Sequence, residues 1–153
     1  MPDFHFDNQA ELHHHFSKHC FNRASELMEQ SHRTQEETKD MVNYSLASLF
    51  HWSKRADCTQ QQKSIGCWQI SRCYTLAGDL DQGERYGKLC LKFSMDEQPF
   101  YLGYAYEALA RIASLKGNNQ DKIHYLNKAK YQLKIITNPE EKSLLISDLE
   151  SIR

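Results

Sequence analysis

The sequence predicts an all-α protein, and three observations carry that prediction. Apolar residues recur every three or four positions along most of the chain, the spacing that gathers them on one face of a helix. Helix start and stop signals separate these stretches. No segment alternates apolar and polar residues over a useful length, so strands are not expected.

The first helix is expected over about 9–30, with Leu12, Phe16, Cys20, Ala24, Leu27 and Met28 on one face. Thr34 with Glu37 three residues on is a capping-box signature, in which side chain and backbone satisfy each other's free groups. The helix it opens carries Met41, Val42, Leu46, Leu49, Phe50 and Trp52. Thr59 and Gln62 repeat the start signal, and Ile65, Trp68, Ile70, Cys73, Leu76 and Ala77 follow. Gly78 then stops a helix and Asp79 starts one, because glycine tolerates the left-handed conformation and aspartate accepts from free amides. The fourth helix carries Leu80, Gly83, Tyr86, Gly87, Cys90 and Leu91. Pro99 opens the fifth, striped by Leu102, Ala105, Leu109, Ile112 and Ala113. Gly117 and Asn118 repeat the glycine-plus-cap turn before Ile123, Leu126, Ala129, Leu133 and Ile136. Asn138, Pro139 and Glu141 start a last helix with Leu145, Leu149 and Ile152 inward and Lys142, Asp148 and Glu150 towards water.

A chain of 153 residues fits one domain with a single substantial core. Charged residues are 25% of it and the formal net charge is −1, so bulk electrostatics draws it neither to nucleic acid nor to anionic lipid. Lys116, Lys122, Lys128, Lys130 and Lys134 form a mild basic stretch, but interleaved acids and amides make it a solvated face. Apolar runs are far shorter than the ~20 residues of a membrane helix, and the acidic start is not a secretory signal. A cytoplasmic protein is the expectation. Cys20, Cys58, Cys67, Cys73 and Cys90 are odd in number and form no C-x-x-C pair. Cys20, Cys73 and Cys90 fall on apolar stripes and read as small core residues.

Shifting the chain by 39 residues superposes Arg72 on Arg111, Gly78 on Gly117 and Tyr86 on Tyr125. Ile70 then meets Leu109, Cys73 meets Ile112, Leu76 meets Leu115 and Asp79 meets Asn118. The matches gather at the turn, where backbone geometry is most demanding.

On these residues the stretches 66–91 and 104–130 resemble tetratricopeptide repeats. Cys73, Gly78, Asp79, Gly83 and Cys90 fit the pattern in one unit; Leu109, Ala110, Ala113, Gly117, Asn118 and Ala129 fit it in the next. Lys122 and Gly87 depart from it, and the period exceeds the usual ~34. HWSKRAD, GCWQISRCY and AYEALARIA also resemble a group of bacterial helical-repeat proteins, a likeness that implies no activity. The resemblance implies a right-handed stack of antiparallel helical hairpins over 1–153. Its parts would be a divergent hairpin (9–58), two repeat-like hairpins (60–94 and 98–137) and a capping helix (139–153), since such stacks need about three units to close a core.

The family's first helices line a concave surface. Carried onto this chain, that implies a groove with Trp68 and Arg72 beside Tyr104, Glu107 and Arg111. Arginine forks suit carboxylates and aromatic rings give flat apolar contact, so the expected partner is a protein or peptide bearing an acidic group. A bland reading has Glu107 pairing with Arg111 or Arg72 and Trp68 filling core. His19, Asn22 and His51, with Tyr44 and Ser48, are secondary groove candidates. The alternative is a metal-dependent or small-molecule enzyme using His15, His19 and His51, with Glu26 as a further ligand. His15 and His19 are one turn apart, but no HExxH or Glu-x-x-His is present, and no cofactor is expected. Phe93, Phe100 and Tyr101 near one loop suggest a homodimer patch.

Overall fold

A computed structural model describes residues 8–153, and the expectation about a secretory signal falls partly on residues outside that range. The described residues fold into seven α-helices and no strand: α1 (Gln9–Glu29), α2 (Gln35–Ser53), α3 (Gln60–Leu76), α4 (Leu80–Ser94), α5 (Pro99–Leu115), α6 (Asn119–Ile135) and α7 (Pro139–Glu150). The all-α expectation holds. None of these helices is long and apolar enough to cross a membrane.

The ends form where side chains satisfy free backbone groups. The Thr34 hydroxyl accepts from the Glu37 amide at 3.1 Å while the Glu37 carboxylate accepts from the Thr34 amide at 2.8 Å. At Thr59 the Gln62 side-chain oxygen accepts from the backbone amide at 2.9 Å and from the hydroxyl as well. Asn8, Asp79, Asn118 and Asn138 each cap a helix through a side-chain oxygen. The end of α1 has no glycine. Instead Nη1 of Arg33 donates to the carbonyls of Leu27, Met28 and Gln30 at 3.0, 3.3 and 2.7 Å, supplying donors that the last turn lacks.

The two glycine turns are alike atom for atom. Gly78 and Gly117 have φ of +85° and +74°, where a side chain would be strained. The Gly78 amide donates to Thr75 at 3.1 Å and that of Asp79 to Tyr74 at 3.0 Å; 39 residues on, Gly117 donates to Ser114 at 3.0 Å and Asn118 to Ala113 at 2.9 Å. Both are Schellman turns that close the outgoing helix and cap the incoming one.

The closest packing is within the pairs α1/α2, α3/α4 and α5/α6. Each second member also touches the next first member, as α2 touches α3 and α4 touches α5. The odd helices touch one another in sequence, α1 with α3, α3 with α5 and α5 with α7, whereas no two even helices touch. Buried hydroxyls tie pairs together: Ser48 donates to the Ser17 carbonyl at 2.8 Å and Ser71 to that of Gly83 at 2.7 Å. Helix α5 lies among α3, α4, α6 and α7, and its buried Ala105, Ala108, Ala110 and Ala113 let them approach. Gly103 does the same for α7, since a Cβ there would stand 2.6 Å from Leu145 Cδ2. Leu145 and Leu149 are buried against Ala129 and Ile136, contributing about 1.5–3 kcal/mol each.

Several stripe residues turn outward: Phe50, Leu76 and Ile123 are 54%, 41% and 58% exposed, and Ala77 beside Leu76 is exposed too. Each lies near a helix end, where an apolar stripe runs past its neighbour. Asp148, expected to face water, turns partly inward because Tyr104 donates to its Oδ2 at 2.7 Å.

Candidate functional site

The five groove candidates do come together, on α3 and α5. Edge-to-face stacking holds the Trp68 and Tyr104 rings 5.6 Å apart. One turn further along, the Arg72 guanidinium lies 5.5 Å from the centre of the Trp68 ring. Its Nη2 donates to both oxygens of Glu107 at 3.2 Å. Arg111 grips Glu107 Oε1 through Nε at 2.8 Å and Nη2 at 2.6 Å. Glu107 is wholly buried, and the two arginine side chains keep 15% and 17% exposure.

This network is largely self-satisfied. Arg111 Nη2 also donates to the Asp148 carbonyl at 3.0 Å and the Ser151 hydroxyl at 2.7 Å, so α7 takes up what a ligand would have used. Burial and the adjoining Asp148 carboxylate push the Tyr104 phenol above its ordinary range, so it donates to Asp148 and remains neutral. Arg111, Glu107 and the Tyr104 hydroxyl therefore serve the fold. Arg72, whose two hydrogen bonds both come from Nη2, is the member with donors to spare.

The open part of the site is a cavity of about 340 Å³ in front of Trp68. Ser64, Ile65 and Trp68 wall it from α3, and Phe100, Tyr101 and Tyr104 from α5, with Cys90 of α4 as well. Tyr101 is held by Gln61, whose Nε2 donates to its hydroxyl at 2.9 Å. Phe100 stacks edge-to-face on both Tyr101 and Tyr104, at 5.4 and 5.0 Å. Phe100 and Tyr101 are thus half-buried walls, and Phe93 packs into the cluster around Cys67 and Cys90. Sequence reading had the signal for these walls, because Phe100 stands one helical turn before Tyr104.

A second cavity, of about 310 Å³, opens between α1 and α3, and Ile65 belongs to both. Lys18, Phe21 and Asn22 of α1, Trp52 of α2, and Gln62 and Gly66 of α3 complete it. Of the secondary candidates only Asn22 reaches it. Arg55 lies 3.8 Å from the centre of the Trp52 ring, donates to Ser17 Oγ at 2.9 Å and forms a bidentate pair with Asp57 at 2.8 and 2.6 Å.

The histidines divide into two groups. His15 and His19 stack 5.5 Å apart on α1, whereas His51 faces His13, their Nδ1 atoms 2.8 Å apart. One ring must donate and the other accept, so the contact exists only while at least one is neutral. Burial first, and then His13, holds His51 below its ordinary value. Among the described residues no three His, Cys, Asp or Glu side chains converge as a metal site would require, so His15, His19 and His51 are not brought together. The thiols are withdrawn: burial pushes Cys67 up to about 12 and Cys73 and Cys90 to about 11.

No family model matches the chain, and neither a curated protein nor a solved structure does.

Proposed function

We propose that the chain is a protein- or peptide-binding helical-repeat module of tetratricopeptide type, its hairpins stacked right-handedly with α7 as the cap. The observation that carries this is the aromatic-walled cavity between α3 and α5, with Arg72 beside its Trp68 wall. A concave, mostly apolar site with a few convergent polar groups is the usual form of a binding site. An apolar side chain of the partner enters between Trp68, Phe100 and Tyr104, and an acidic group meets the spare donors of Arg72. Two further features support the architecture: the identical glycine turns 39 residues apart, and odd helices that touch one another while even helices do not.

The test is capture of partners from bacterial lysate by the wild-type protein and by Arg72→Ala and Ile65→Arg variants with unchanged circular dichroism. Arg111 is left intact because its bonds hold α7. A partner retained by the wild type and lost by both variants supports the groove. Equal retention by all three proteins moves the binding surface elsewhere.

A further inference from the structure

We infer that the groove is a two-anchor site for an extended acidic peptide, in which the cavity between α1 and α3 takes a second apolar side chain and Lys18 meets a carboxylate. This rests on the groove reading above and extends it to a cavity that sequence reading reached only through Asn22.

Ile65 walls both cavities, so they stand side by side in successive clefts between odd helices. Packed helices lie about 8–10 Å apart, and that distance separates such clefts. A polyproline-type strand advances about 9 Å in three residues and returns to the same face. Side chains at i and i+3 of one extended peptide therefore fall into the two cavities, straddling Ile65. A helical ligand needs i and i+7 for a similar span, about 10.5 Å.

The two cavities are built alike. Each has a tryptophan wall with an arginine over the ring: Arg72 over Trp68 and Arg55 over Trp52. The carboxylates beside those arginines, Glu107 and Asp57, are already paired with them. No acidic residue lines either cavity, and the one lining residue that carries charge is the exposed Lys18, which forms no ion pair among the described residues. That balance favours an acidic occupant. Asn22 and Gln62, on the same rim, offer amides to its backbone.

An array of fluorescein-labelled synthetic peptides tests this. Each has a Ser/Gly frame bearing one or two apolar residues (Leu, Phe or Trp), spaced one to seven apart and flanked by Glu or by Lys. Binding is read by polarisation against the wild-type protein, Lys18→Glu and Ile65→Arg. The expected optimum is a spacing of three with flanking Glu, weakened about tenfold or more when either anchor becomes Ala. Lys18→Glu weakens the Glu-flanked peptides and strengthens the Lys-flanked ones. If one-anchor peptides bind as well as two-anchor peptides and Lys18→Glu changes nothing, the second anchor is overturned and the first cavity stands. An optimum at seven overturns the extended mode. If no peptide binds the wild type better than Ile65→Arg, the groove reading itself falls.

Discussion

Glu107 shows how much one buried side chain can organise. Its carboxylate, with no exposure, receives hydrogen bonds from Arg72 and Arg111, and Arg111 continues from it into α7. Glu107→Ala would leave two arginines without their anion, at a cost of about 3–5 kcal/mol in urea denaturation. Arg72→Ala leaves Glu107 paired with Arg111 and is expected to cost less. A ranking in which Arg72→Ala costs more would contradict this account. The His13–His51 pair gives a second prediction. A histidine held below its ordinary value takes up its proton more readily unfolded, so its contribution is complete above pH 6.5, the ordinary value, and is lost as pH falls. Melting temperature should decline on acidification below 6.5, and less steeply in His51→Gln. Parallel curves would remove His51 from the effect. At the thiols, Cys58 is half-exposed and the other four cysteines are buried. Iodoacetamide at neutral pH should label Cys58 in the native protein and all five after denaturation, as counted by mass spectrometry. Spacing showed that Trp68 shares a helix face with Arg72, and Tyr104 with Glu107 and Arg111, because residues three and four apart lie on one face; that the two faces meet came only from the resemblance to the repeat family. Neither showed that the end of the chain would claim two of them, Tyr104 and Arg111. Asp148 and Ser151 lie far along the chain, and spacing carries no information about such a meeting.

Helices were more legible than contacts, for a physical reason. A cap or a glycine stop acts within five residues, so Thr34, Asp79, Pro99 and Asn118 declare their elements locally. The end of α1 was harder to read, because its carbonyls are satisfied by Arg33, a residue with no fixed capping signature. The outward turn of Phe50, Leu76 and Ile123 was likewise hidden, since periodicity says which residues share a face but not where the neighbouring helix ends. The matched turns make a quantitative prediction. Gly78→Ala and Gly117→Ala each force a side chain into the left-handed region with no nearby atom to clash. Each should cost about 1–2 kcal/mol, the two values should agree, and the double variant should show their sum. Thermal or urea unfolding measures all three. A marked inequality would mean that the two turns are not equivalent in energy.

Across the whole molecule, the odd and even helices have different surroundings. Helices α3 and α5 are flanked by α1, α2, α4, α6 and α7 between them, whereas α7 rests on α5 and α6 alone. Amide exchange should therefore be slowest in α3 and α5 and fastest among the helices in α7, which opens without disturbing the pairs behind it. Slower exchange in α7 than in α5 would show that the Arg111 bonds fasten it more firmly than its packing does. The same pattern of touching helices bears on how the chain is made. Every helix–helix contact among the described residues joins elements that are adjacent or one apart in the chain. No segment has to wait for a distant one before it can settle, so loop-closure entropy is met in small steps and the folding rate should be high for this length. Each hairpin can close soon after it leaves the ribosome, with its apolar face covered by the next helix to emerge.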